Sequence, residues 1–405
     1  MRALEWVRGR AGAVRDNPGT IAWMLLVAFV YGAATYVRSQ ASTGWGADHM
    51  MSLASNMLAG RSDLSFNQLT TANDIVTLNG HYYQAMSLLP TIPYLPLVPF
   101  HDLWPLSRWI VSAVIGIIAG WLALPVARRY GPGGIADYWL AALGAFGTLL
   151  FTLSIEGDFY YLAHLEATLL IFLSLIEWKG SRRPWVMGLL IGLSGLARPT
   201  LWLVAIPFGL AYMAEASVEV RARVKMGVGF AIPLLASVAV TGWWDWVRFG
   251  SVSETGYGIS QVFGPLVGLR AQGLFSTDHV PTNLALFLGG GYTVRDTFPW
   301  MVPSTEGQSI FLTTPAILIA VGVSLRDRLN QVLWASVILT AIPVFLYYGG
   351  GGAATYGYRY AMDFVPFLVA LVAIAVRERF GNLERALIAL SVFFVCYGYF
   401  WQVWK

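Results

Sequence analysis

Trp185-Val-Met-Gly-Leu-Leu-Ile-Gly-Leu-Ser-Gly-Leu-Ala-Arg198-Pro199-Thr200-Leu-Trp-Leu-Val-Ala-Ile-Pro-Phe-Gly-Leu-Ala-Tyr-Met213 is the stretch on which the architecture turns. By length it could be one membrane helix, since a hydrocarbon core of ~30 Å takes about 20 apolar residues. Its flanks forbid that. Lys179, Arg182 and Arg183 precede it, and Arg221, Arg223 and Lys225 follow it. Positive residues gather in cytoplasmic loops, so the chain must enter and return on one side. The only break is Gly195-Leu-Ala-Arg198-Pro199-Thr200. Each limb then reaches only ~20 Å at ~1.5 Å per residue, which puts the turn, with Arg198, inside the outer half of the membrane. Irregular backbone at that depth is tolerated only when it is buried in protein or lines a wet cavity.

The same parity argument extends to the whole chain. Its 405 residues are 57% apolar and 12% charged, against about 25% charge in a soluble domain. This excludes ordinary soluble, disordered and disulfide-stapled classes. The net charge of +4 serves topology, so no nucleic acid partner is expected. Six basic clusters hold 17 of the 26 Lys and Arg residues: Arg2, Arg8, Arg10 and Arg15; Arg128 and Arg129; the two clusters named above; Arg326 and Arg328; and Arg377, Arg379 and Arg385. With an even number of crossings between clusters, the reading is an all-α polytopic membrane protein. It has about eleven transmembrane or half-spanning helices, a retained first helix over Ile21–Val37 and no separate soluble domain. Cys396 lies in an apolar run and reads as a small core residue.

Three external loops follow, at 38–106, 245–308 and 349–360. The segment Leu88–Phe100 carries Pro90, Pro93, Pro96 and Pro99, which deny it a regular helix, so it is placed as a broken interfacial piece. Met50, Met51, Leu53, Ala54, Met57 and Leu58 recur with helical spacing and predict an amphipathic outer-face helix opened by Asp48. As an N-cap Asp48 would be structural; as an acid at the membrane–water boundary it would be catalytic. Glu156-Gly-Asp158 forms a tight external corner. His164 and Glu166 lie inside the next span, where ionisable groups are costly and usually face a cavity. They point ~200° apart on a helix, so a divalent metal held by His164 would need ligands from elsewhere, such as His81, Asp48 or Glu156. Arg198 and Arg359 present guanidinium forks suited to phosphate; pairing with a buried acid and snorkelling are their plain alternatives. In the first loop, Asp74 and Gly80-His81-Tyr82-Tyr83 offer rings that could stack on a sugar or sit in the interfacial belt.

The order of these features resembles the GT-C glycosyltransferases, specifically the bacterial relatives of protein O-mannosyltransferases and of the lipid A aminoarabinose transferase. The features are an outer loop opening with Asp48, the Gly80–Tyr83 run, the proline-rich segment, Arg108, Ala127-Arg-Arg129, Asp158, Gly192–Thr200 and Gly357-Tyr-Arg359-Tyr360. The resemblance implies transfer of a sugar from a polyprenyl-phosphate donor to a lipid, glycan or protein acceptor on the outer face of the plasma (inner) membrane, with inversion. It carries Asp48 over as general base, Asp158 or Glu156 as second acid, and Arg198 and Arg359 as donor-phosphate ligands; His81, Tyr82 and Tyr83 stand beside them as candidate substrate contacts from their own chemistry. The rival class is a transporter or flippase of a lipid-linked anion, which would use the arginines without needing Asp48.

Overall fold

The computed structural model describes residues 18–41, 49–65, 74–103, 107–215, 217–264, 266–352 and 356–404. Asp48 and the N-terminal arginines Arg2, Arg8, Arg10 and Arg15 lie outside them.

The chain is mostly helical. It begins with α1 (Pro18–Ala41), then α2 (His49–Leu58), a hairpin of β1 (Ile75–Leu78) and β2 (His81–Gln84), and a run of 3-10 turns over Leu89–Leu103. Next come α3 (Ser107–Tyr130), α4 (Ile135–Phe146), α5 (Leu150–Glu156), α6 (Phe159–Trp178), α7 (Pro184–Ala197), a 3-10 turn at Pro199–Val204 and α8 (Ala205–Met213). The second half holds α9 (Val220–Phe249), α10 (Leu266–Ala271), α11 (Val280–Gly289), a small hairpin of β3 (Tyr292–Val294) and β4 (Met301–Pro303), and α12 (Ile310–Thr313). It ends with α13 (Arg328–Leu346), α14 (Val365–Ala375) and α15 (Asn382–Trp404).

Among the described residues six helices, α1, α3, α6, α9, α13 and α15, are long and apolar enough to cross a membrane. The pair α4 and α5, bent by 42°, would make a seventh span. The expected eleven is therefore not a count of full-length helices. The other crossings were read from apolar stretches that fold as short limbs broken at proline or glycine, such as α12 with the 3-10 run Pro315–Gly322. Large apolar side chains face outward along the long helices, with Phe29 74% exposed and Ile232 64%, as a lipid-facing surface requires. Cys396 is exposed on α15, which corrects its reading as a core residue.

The chain does reverse at Arg198-Pro199. Trp202 packs on Gly195, where an added Cβ would meet its ring at 2.0 Å, and its indole donates to Gly192 O at 3.3 Å. The far ends of both limbs meet the start of α9: Pro184 beside Gly229 and Met213 beside Gly227. Tyr212 Oη closes the base by donating to Arg182 O at 2.9 Å.

The basic clusters converge on this same end. Arg377 donates to Tyr130 O at 2.7 Å, Arg328 to Ala214 O at 2.9 Å, Arg223 to Met213 O at 3.3 Å and Arg128 to Thr20 Oγ1 at 2.9 Å. Cysteines placed at Ser181, beside these clusters, and at Ser253, in the opposite loop, in a Cys396→Ala background are expected to react with an impermeant thiol reagent from opposite faces of sealed membranes. Labelling of both from one face would contradict the two-ended arrangement.

The opposite end differs from expectation in three ways. The first loop is not built from interfacial helices alone. Asn79 and Gly80, at φ 51° and 78°, make the two-residue turn of a hairpin, for which Asn-Gly is the favoured pair. The helix α2 is packed more deeply than a helix resting on a membrane surface: it buries His49, Met50, Met51, Leu53, Ala54 and Asn56 and leaves Ser55 and Leu58 exposed. And α9 runs on to Phe249, past the expected boundary at Asp245. Its last turn buries an ion pair, Arg248 Nη2 donating to Asp245 Oδ1 at 2.6 Å, while Arg248 Nη1 donates to Gln84 O at 2.7 Å and Met86 O at 3.1 Å. The second loop then bonds the first: Asp74 N–H donates to Gln261 O at 3.0 Å and Gln261 N–H to Ile75 O at 2.8 Å. Two loops, far apart in sequence, thus form one cap over the helix ends.

Candidate functional site

Beneath that cap the structure gathers side chains from four segments. Arg198 sits where α7 ends and the backbone turns extended (φ −137°, ψ 101°) because Pro199 cannot continue the helix. Its Nε and Nη2 each donate at 3.0 Å to Asp363 Oδ1 and Oδ2, a two-pronged pair whose carboxylate is fully buried. Thr200 Oγ1 donates to the same carboxylate at 2.6 Å, and His164 Nδ1 lies 3.5 Å from Oδ1. Two of the Arg198 donors are thereby engaged by a buried acid; Nη1 is outside that pair.

Arg359 is held differently. It follows the glycine run, its N–H donating to Gly351 O at 3.0 Å. Gly352, at φ +89°, leaves the space its side chain fills: a Cβ there would lie 2.5 Å from Arg359 Cγ and Nε. Among the described residues it forms no ion pair. Its neighbours are aromatic, with Tyr360, Tyr161 and Tyr160 rings at 5.0, 5.5 and 5.8 Å from Cζ, and Nη2 donates to Tyr360 Oη at 3.2 Å. Arg198 lies over the same Tyr360 ring at 5.3 Å. One phenol therefore carries both cations that the sequence singled out, 161 positions apart. Cation–π contact holds a guanidinium in place without neutralising it.

The acids fall in distinct environments. Glu156 ends α5 and is tied to Arg38 Nη2 at 3.0 Å. Gly157, left-handed at φ 61°, makes the corner; a Cβ would strike the Trp109 ring at 2.5 Å. Asp158 caps α6, its Oδ1 accepting from Tyr160 N–H at 3.0 Å, so the functional candidate also has a structural task. His49, the neighbour of Asp48 in sequence, packs its ring 4.5 Å from Phe159 and its Nδ1 lies 2.8 Å from Gln84 Oε1. Asp74, at the foot of β1, is a non-glycine residue in the left-handed region, φ 63°. No described residue hydrogen-bonds its carboxylate. Burial pushes that carboxyl up to about 6, against the opposing pull of the Arg359 and Arg270 charges. The Tyr257 phenol is likewise raised, by burial and then by Asp74. Sequence reading noted Asp74 and gave it no role; Asp363 and Tyr160 it did not single out.

Other candidates separate from the cluster. His81 Nδ1 lies 2.8 Å from Asp63 Oδ2, and Arg61 donates from Nε to Oδ1 and from Nη2 to Oδ2 of the same carboxylate, each at 2.9 Å. Those partners hold the Asp63 carboxyl down at about 2. Tyr82 is half-buried in the hairpin, and Tyr83 leans on Phe249 at 5.7 Å. These three residues belong to the cap, with His81 engaged by Asp63 and Tyr83 by Phe249. His164 and Glu166 point apart as helical spacing requires, His164 toward Asp363. Among the described residues no three His, Cys, Asp or Glu side chains come together as ligands for an ion.

No protein-family model, no curated protein and no solved structure matches this chain.

Proposed function

We propose that this protein is a membrane-embedded glycosyltransferase that moves a sugar from a polyprenyl-phosphate carrier to a lipid, glycan or protein acceptor on the outer face of the plasma (inner) membrane. The observation that carries the reading is the meeting of Arg198 and Arg359 on Tyr360, beneath the loop cap and at the end opposite the basic clusters. A phosphate leaving group needs donors aimed at its developing charge in a water-poor site. Arg359, which has no ion-pair partner among the described residues, is the principal ligand. Arg198 adds its remaining donor, with Asp363 fixing its orientation.

The chemistry then needs a carboxylate to take the acceptor hydroxyl proton as the oxygen attacks the anomeric carbon. The bond to the carrier phosphate breaks and polyprenyl phosphate departs. Glu156 is occupied by Arg38 and Asp158 by its cap. Asp74 is the best-suited described acid, because a general base works best with an affinity for protons near the operating pH. Asp48 keeps the role the resemblance gives it as the competing base. No step is assigned to a metal ion.

Donor binding tests the reading. Truncating Arg359 removes a charge-assisted contact worth roughly 1.5–3 kcal/mol, so Arg359→Ala is expected to weaken binding of a polyprenyl-phosphate sugar by about 10- to 150-fold at ~1.4 kcal/mol per decade. Arg359→Lys should recover part of that loss by restoring charge without the fork. Undiminished donor binding by Arg359→Ala would remove the phosphate role.

A further inference from the structure

At the basic end, remote from the paired arginines, a cavity of about 390 Å³ opens between the end of α6, the end of α8 and the start of α13. Its charged lining is Lys179, Arg182, Arg328 and Glu215, three cations to one carboxylate. Glu215 meets Arg182 at 3.5 Å, and Arg182 also stacks 4.4 Å over Trp178. Arg328 is anchored on the last carbonyls of α8, Ala211 O at 3.3 Å and Ala214 O at 2.9 Å. Lys179 has no ion-pair partner among the described residues; its ammonium sits 5.8 Å over the Tyr130 ring. Burial and the neighbouring charges of Arg377 and Arg182 weaken its hold on its proton, with Asp327 opposing them.

Two features give the ligand its shape. The helices α6 and α13 are candidate spans, and they end at Trp178 and begin at Arg328, so the charged mouth lies at the level of lipid headgroups. The remaining lining, Ala211, Leu329 and Val332, is apolar. Val332 is about one turn deeper in α13, ~6 Å at ~1.5 Å per residue. A cavity with a cationic mouth and an apolar floor suits an amphiphile better than a free ion.

We propose that this cavity binds the phosphate headgroup of an anionic phospholipid, with Lys179 as its principal cation. Basic pockets between membrane helices recognise such headgroups, at ~1 kcal/mol per basic residue near the surface. The inference is independent of the transferase reading.

Thermal unfolding of the purified full chain, titrated with phosphatidylglycerol in mixed micelles, tests it. The unfolding midpoint of wild type should rise with phosphatidylglycerol, and more than with phosphatidylcholine. Lys179→Gln should lower apparent affinity about fivefold, the equivalent of that single charge contact. Arg326→Gln, which removes a charge at the same end outside the cavity, should titrate as wild type. Equal titration by Lys179→Gln and wild type, or equal effect of phosphatidylcholine, would overturn the proposal. Reproduction of the shift by inorganic phosphate at matched ionic strength would replace the lipid with a free anion. Native mass spectrometry of wild type gives a readout that needs no variant: retained lipid without preference for anionic headgroups would also overturn it.

Discussion

Asp363→Ala is expected to yield a protein that barely holds its fold. Asp363 is the sole acid in ion-pair contact with Arg198 among the described residues, and the pair also binds Thr200. Removing one partner of a buried pair typically costs ~3–5 kcal/mol, because the other charge is left without compensation. That is about 140- to 3,700-fold in the folding equilibrium at ~1.4 kcal/mol per decade. Thermal unfolding in detergent should show a large fall in midpoint, and the limbs on either side of Arg198-Pro199 should become protease-sensitive. Replacing both partners, Arg198→Met with Asp363→Leu, should restore much of the stability, since apolar substitutes of similar volume are often neutral at such sites. An Asp363→Ala protein as stable as wild type would mean that Arg198 is solvated and that the ion pair does not organise the turn.

The pair also shows where the sequence stops being informative. Parity of the basic clusters located the reversal at Arg198-Pro199, because charge distribution and proline stereochemistry are local properties. The partner of Arg198 lies 165 positions away, and no spacing rule links the two. The same holds for Arg38 with Glu156, and for Arg248 with the carbonyls of Gln84 and Met86. Other features were written locally and went unread. Asn79-Gly80 between Ile75-Val-Thr-Leu78 and His81-Tyr-Tyr-Gln84 is a two-residue hairpin signal, overshadowed by the expectation that an all-helical chain would line its outer loop with helices. The rings of His81 and Tyr83 suggest stacking on a sugar, yet in β2 one meets Asp63 and the other Phe249. Arg198 and Arg359 were chosen for their position near the outer face, and their meeting at Tyr360 follows from the turn and the glycine run that carry them.

Asp74→Asn is expected to bind donor and fold normally, yet to lose transfer by about 10²–10⁴-fold, the usual contribution of a general base. The amide keeps the side chain's shape, and Asn tolerates the left-handed backbone at φ 63° at least as well as Asp. The sign of the pH dependence follows from the raised carboxyl. Asp74 holds its proton up to about pH 6, so the base form is present above that value and wild-type turnover should fall as pH drops through it. Because the folded value lies above that of a free carboxyl, the same group favours folding below about pH 4, and that contribution is lost as pH rises through about 6. Asp48→Asn provides the comparison: if Asp48 is the base, it alone will abolish turnover and the acid limb will survive in Asp74→Asn.

Both outcomes are read in one assay, the fate of a labelled polyprenyl-phosphate sugar in vesicles containing the purified protein with acceptor lipids. The account predicts that wild type cleaves the donor, releasing polyprenyl phosphate and labelling the acceptor, while Asp74→Asn retains intact donor. Recovery of the donor whole but moved to the opposite leaflet by wild type would contradict it and make this protein a transporter of the lipid-linked sugar.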